Sequence, residues 1–283
     1  MEIGKVGVVG CGSMGSGIAQ ISAQCGYDVV VREINLDLLN KGLGGIKKVL
    51  SKGVEKGKMN QEEMDRILAR IKGTIDMKDF SECDLVIEAV VENMDLKKEV
   101  FAALDKICPQ HTILSSNTSC LSIIEIAMAT SRPDKVLGLH FFYPAPLMAL
   151  LEIVRTIATS DEAVEKAKGF AKRLGKSLVV AKDTPGYIVN RLFVPYILSA
   201  IRLYEAGVAS REDIDTGVKL GLNYPMGPLT LADFTGNDVI CFVASAMYEQ
   251  TKDPALIPPT LLTKMVAAGW LGRKTGKGFY EYK

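Results

Sequence analysis

Histidine is the side chain best suited to moving protons near neutral pH, and this chain of 283 residues has two, His111 and His140. His140 lies in "GLHFFYPAP", between an apolar run and two prolines. Downstream, "LLEIV" sets Glu152 among apolar neighbours, where a carboxylate is costly to bury unless it is paired. Its partner can be a structural Lys or Arg, or it can be a histidine. A carboxylate on one imidazole nitrogen fixes the tautomer and stabilises the imidazolium formed on proton uptake. Packing beside Phe141, Phe142 and Tyr143 is the competing role for His140.

A second constellation suits phosphate. "KVGVVGCGSMGSGIAQISAQCGYDVVVRE" reads strand, glycine turn, helix, strand, acid. Gly10 permits the tight turn, Gly12 leaves room for a pyrophosphate, and Gly15 lets the helix pack close to the strand. Ser13 and Met14 complete the turn, at a helix start whose N–H groups attract phosphate. Glu33 closes the second strand, where an acid bonds the ribose hydroxyls of NAD. Arg32 keeps NADP open, because an adjacent Arg can accommodate a 2′-phosphate.

These residues need a scaffold. Apolar runs at 6–9, 29–31, 85–89, 112–115, in "KVLGLHFF", in "ALLEIVRT" and in "SLVVAKD" alternate with helical patterns. That alternation predicts an α/β fold with a largely parallel, doubly wound sheet. In such sheets ligands bind beyond the carboxyl ends of the strands. His140, Asn117 and Ser119 fall at carboxyl ends, whereas His111 precedes its strand. Strand polarity therefore favours chemistry at His140 and a surface position for His111. Residues 41–72 read as a lysine-rich, glycine-interrupted helix. Lys48, Lys52 and Lys56 share one face, either as a solvated surface or as a site for an anionic ligand.

Thr184-Pro185-Gly186 marks a boundary between an NAD-binding domain, 1–184, and an all-helical domain, 185–283. The long apolar helix that opens the second domain suits burial and subunit contact. Charge is balanced, 34 Lys+Arg against 33 Asp+Glu, which argues against nucleic-acid or membrane binding through bulk charge. No C-x-x-C pair or metal-ligand spacing is present among six cysteines and two histidines. Reduced thiols in a cytoplasmic protein are expected, with no signal peptide and no membrane span.

Together, "GCGSMGSGIAQ", "DLVIEAVVEN", "SSNTS", "GLHFFYPAP", "LLEIV", "DTPGYIVNR", "YPMGPLTLADFTG" and "GRKTGKGFYEY" resemble the short-chain L-3-hydroxyacyl-CoA dehydrogenase family, of the bacterial 3-hydroxybutyryl-CoA type. The resemblance implies a Rossmann-type domain followed by a helical one, NAD as cofactor, an acyl-CoA substrate and a homodimer. It makes His140 the general base and Glu152 the carboxylate that orients it. Ser119 would contact the substrate's 3-oxygen, and Asn190 the substrate carbonyl groups. Glu92, Lys97, Asn117 and Lys274 would lie near the cofactor, with Gly10, Gly12, Gly15 and Glu33 as the NAD fingerprint. Coenzyme A phosphates would give Lys52 and Lys56 a ligand. Two rivals are weaker. A free 3-hydroxy acid dehydrogenase with a lysine base is disfavoured by "GLHFFYP" and "LLEIV". A non-catalytic nucleotide-binding protein is disfavoured by the intact His140, Glu152, Ser119 and Asn190.

Overall fold

The valine-rich runs become the strands of one eight-stranded sheet in the computed structural model, which describes residues 3–282. The chain divides into two units after Asp183. The first unit begins β1 (Lys5–Val9), α1 (Ser13–Gln24), β2 (Asp28–Arg32), α2 (Leu36–Glu55), α3 (Gln61–Ala69) and β3 (Ile71–Thr74). It continues β4 (Leu85–Glu88), α4 (Met94–Ile107), β5 (Ile113–Ser116) and α5 (Ile123–Ala127). It ends β6 (Val136–Phe141), β7 (Leu150–Arg155), α6 (Asp161–Arg173) and β8 (Ser177–Lys182).

The spatial order is β3-β2-β1-β4-β5-β6-β7-β8. Its first six positions follow the dinucleotide-binding order, in which the direction of winding reverses beside β1. Val6, Val8, Val29, Val31, Leu85 and Ile87 are all buried, as expected for parallel strands covered by helices on both faces. β7 runs antiparallel to β6, and β8 runs parallel to β7. The sheet is therefore parallel except at one seam, and that seam pairs the strands carrying His140 and Glu152.

Residues 41–72 are not one helix. α2 ends near Lys56, and Asn60 and Glu63 form a capping box that starts α3. β3, "IKGT", follows as an edge strand with one strongly apolar residue, too little alternation to announce itself. On α2, Leu39, Ile46 and Leu50 are buried in the core, each such side chain contributing roughly 1.5–3 kcal/mol. Lys47, Lys48 and Lys52 on α2, and Lys56 just after it, stay exposed.

The second unit holds α7 (Val189–Glu205), α8 (Arg211–Gly221), α9 (Pro228–Thr235), α10 (Asn237–Thr251) and α11 (Thr260–Ala267). Pro228 stands at the start of α9, where a missing N–H costs nothing. Buried Asp215 accepts the N–H groups of Leu229 and Thr230, and buried Asp233 accepts those of Phe279 and Tyr280. The two carboxylates thus fix the start of α9 and the C-terminal segment. Among the described residues, no helix is long and apolar enough to cross a membrane.

Candidate active site

β6 and β7 pair so that His140 stands directly opposite Glu152. His140 Nδ1 lies 2.6 Å from Glu152 Oε2. His140 is 4% exposed and Glu152 0%. A cross-strand pair in this register needs no loop to bring the groups together. A carboxylate held this close to one imidazole nitrogen can orient the ring and stabilise an imidazolium. Phe142 packs against the ring at 4.6 Å between centroids, so an aromatic neighbour acts as a wall. His111, at the amino end of β5, meets Asp84 at 3.1 Å and is half-buried.

The loop after β5 reaches toward the end of β6. Asn117 Oδ1 accepts the N–H of Phe141, beside His140, at 2.9 Å. Ser119 donates its N–H to Glu92 Oε1 at 3.0 Å, and none of the described residues bonds its hydroxyl. Glu92 also accepts from Thr118 and pairs with Lys97 at 3.2 Å. Lys97 is 1% exposed, and its ammonium donates to the buried Glu88 at 2.7 Å.

Two residues here escaped the sequence reading. Glu88 ends an apolar strand in "DLVIEAV", the same signal that drew attention to Glu152. Lys176 is buried and donates to the carbonyls of Ala145 and Met148 in the loop joining β6 to β7. Burial holds its ammonium below the usual lysine range. No sequence signal marks it, because a lysine before a strand is ordinary.

The glycine turn fits a dinucleotide. Gly10 has φ +98°, and a Cβ there would stand 2.6 Å from the Ala89 carbonyl oxygen. At Gly15 a Cβ would stand 1.9 Å from the Gly10 carbonyl oxygen, whereas at Gly12 it would meet nothing within 4 Å. Gly10 and Gly15 therefore build the turn, and Gly12 keeps its outer surface open. Each other α-helix of the first unit is capped by an Asn or Ser side chain. α1 alone among them has no side-chain cap, which leaves its first-turn N–H groups for an anion. Glu33 takes the N–H of Cys11 at 2.9 Å and that of Ile34 at 2.7 Å. Its remaining lone pairs can accept ribose hydroxyls. Arg32 donates Nε to the Ile75 carbonyl at 3.4 Å.

In the second unit, Asn190 lies in the first turn of α7, half-buried. Lys274 is exposed and paired with Asp238 at 2.6 Å.

Residues 5–184 match the model of the 3-hydroxyacyl-CoA dehydrogenase NAD binding domain, and residues 186–282 match that of the 3-hydroxyacyl-CoA dehydrogenase C-terminal domain. The chain belongs to the 3-hydroxyacyl-CoA dehydrogenase family. It is an NAD-dependent dehydrogenase. It is 48% identical over 282 residues to a Mycobacterium tuberculosis 3-hydroxybutyryl-CoA dehydrogenase, covering 99% of each chain. It is 44% identical over 283 residues to a probable 3-hydroxybutyryl-CoA dehydrogenase of Bacillus subtilis, covering 100% of this chain and 99% of that one. The crystal structure of (S)-3-hydroxybutyryl-CoA dehydrogenase from Ralstonia eutropha matches with a TM-score of 0.95 and 42% identity, covering all of both chains.

Proposed function

We propose that this dehydrogenase interconverts (S)-3-hydroxybutyryl-CoA and acetoacetyl-CoA, with His140 as the acid–base and Glu152 as its positioning partner. The observation that carries the reading is the buried 2.6 Å contact between His140 Nδ1 and Glu152 Oε2 near the carboxyl end of β6. The names of the M. tuberculosis and B. subtilis relatives support the substrate class.

In oxidation, His140 Nε2 takes the proton of the substrate's 3-hydroxyl while the C3 hydrogen leaves as hydride and C3 becomes a carbonyl. NAD, when bound, supplies the hydride acceptor, and in its reduced form the donor. Glu152 stabilises the imidazolium that results. In reduction the same imidazolium returns the proton to the 3-oxygen. Ser119 donates its hydroxyl to the 3-oxygen, and Asn117 holds the end of β6. Glu33 selects NAD, since its carboxylate would repel a 2′-phosphate. Lys52 and Lys56, exposed and without an ion-pair partner among the described residues, bind phosphates of coenzyme A.

The second unit is proposed to carry a homodimer contact. It leaves Leu192, Val208, Leu220, Leu222, Phe234 and Phe242 exposed, and so many large apolar side chains in water suit a covered surface. Sedimentation at micromolar concentration would read a monomer if this is wrong.

The functional test is steady-state reduction of acetoacetyl-CoA against free acetoacetate, with NADH. Remote contacts to coenzyme A raise the rate at the reacting carbon, so the thioester should exceed the free acid by roughly 10²-fold or more in kcat/KM. Equal rates, or turnover of the free acid alone, would overturn the reading.

A further inference from the structure

A closed circuit of polar contacts lies beneath the loop that carries Asn117 and Ser119. Lys97 Nζ donates to Glu88 Oε1 at 2.7 Å. Ser116 Oγ donates to Glu88 Oε2 at 2.6 Å and accepts the N–H of Thr118 at 3.2 Å. Thr118 Oγ1 donates to Glu92 Oε1, and Glu92 Oε2 returns to Lys97 Nζ at 3.2 Å. Glu88 also accepts the N–H of Val90 at 2.7 Å, which fixes the chain leaving β4. Glu88 and Ser116 are fully buried, and Lys97 and Thr118 are each 1% exposed.

Asn117 sits inside the circuit, between Ser116 and Thr118, and reaches out to the Phe141 N–H beside His140. Ser119 leaves it, with its N–H on Glu92. The circuit thus sets the main chain on both sides of one loop residue and the start of the next.

Stability alone does not explain such an arrangement. The Glu88 carboxylate and the Lys97 ammonium lose their hydration here, with Glu92 half-buried beside them, and apolar residues of similar volume often serve a fold as well or better. A fully satisfied buried network confers one geometry on the segment it holds. We infer that Glu88 is a positioning residue of the reaction, acting through Ser116, Thr118 and Lys97 to fix the Asn117–Ser119 turn against the end of β6. The inference rests on the functional reading above, because Ser119 meets substrate only under that reading.

The test pairs Glu88→Gln with Ser116→Ala in the full chain. Glu88→Gln keeps the shape of the side chain but removes its charge; its amide nitrogen either donates to Ser116, reversing that bond, or faces the Lys97 ammonium and the Val90 N–H, whose bonds are then lost. A misplacement of about 1 Å remote from the reacting atoms can cost roughly 10²-fold in rate. Accordingly, kcat/KM for acetoacetyl-CoA should fall on the order of tenfold or more in Glu88→Gln. The loss should be smaller, in the same direction, in Ser116→Ala. NADH affinity, read by fluorescence titration, should fall less than kcat/KM does, since the glycine turn and Glu33 keep their own bonds while only the Lys97 and Asn117 side of the cofactor site shifts. A purely structural role would lower the melting temperature and the active fraction while each active site kept wild-type kcat and KM. That result would overturn the inference. If Glu88→Gln does not fold, Ser116→Ala decides by the same criteria. Absence of wild-type turnover of acetoacetyl-CoA would defeat the functional reading, and this inference with it. Wild-type turnover with both variants unchanged per site would defeat only the role given to Glu88.

Discussion

Replacing Glu152 by Gln leaves the volume opposite His140 filled and removes one charge. In oxidation, His140 passes from neutral imidazole toward imidazolium, so Glu152 stabilises the transition state more than the ground state. At an effective dielectric of about 20, unit charges about 4 Å apart interact by about 4 kcal/mol. With half the proton transferred, about 2 kcal/mol of that attraction is present, worth roughly thirtyfold in kcat. That figure is the loss in Glu152→Gln when the new amide oxygen still accepts from Nδ1–H. If the amide nitrogen faces the ring instead, His140 takes the other tautomer, and the loss grows toward about 10⁴-fold. The assay is NADH formation from (S)-3-hydroxybutyryl-CoA, with melting temperature and NADH affinity measured on the same preparation. Glu152 is buried in a strand far in sequence from the glycine turn, so NADH affinity should hold. A kcat within about threefold of wild type, under half a power of ten and so under about 0.7 kcal/mol, would show that Glu152 only fills the sheet.

Three other expectations follow from residue geometry. Gly12→Ala should melt within a few degrees of wild type, because its Cβ meets nothing within 4 Å, yet bind NADH about tenfold more weakly or worse. Gly15→Ala should lose stability instead, since its Cβ would collide with the Gly10 carbonyl; equal behaviour of the two variants would contradict the cradle. NADH should be preferred to NADPH by on the order of 10² in kcat/KM through repulsion by Glu33, and Glu33→Ala should narrow the ratio; a wild-type preference for NADPH would reverse the reading of Arg32. Burial pushes the thiols of Cys11 and Cys108 up to about 11 and those of Cys83 and Cys120 up to about 12. The thiolate is the reactive form, so a thiol reagent at about pH 8 should label the half-buried Cys25 and Cys241 first. Labelling of Cys120 as fast as Cys25 would contradict its packing.

The elements that repeat a period or carry a fixed offset were legible in the sequence. The glycine turn and Glu33 belong to one short local unit, and its hydrogen bonds are those that unit requires. Strand polarity by itself placed His140 and His111 at opposite ends of the sheet. The meeting of His140 and Glu152 was implied by the family resemblance but not legible in the spacing, because it depends on an antiparallel register between two strands joined by an irregular loop. β3 was missed because an edge strand needs little apolar alternation. Glu88 was overlooked although "DLVIEAV" and "LLEIV" pose the same question of what partners a carboxylate in an apolar run. Lys176 finds its partners in main-chain carbonyls, which no side-chain pattern records.

The central claim is that His140 carries the proton, and His140→Gln tests it most directly. Gln keeps polarity and approximate size but cannot exchange a proton in this range. The variant should reduce acetoacetyl-CoA about 10²–10⁴-fold more slowly, while binding NADH as wild type does. Wild-type-like turnover in a folded, NADH-binding His140→Gln protein would contradict the account.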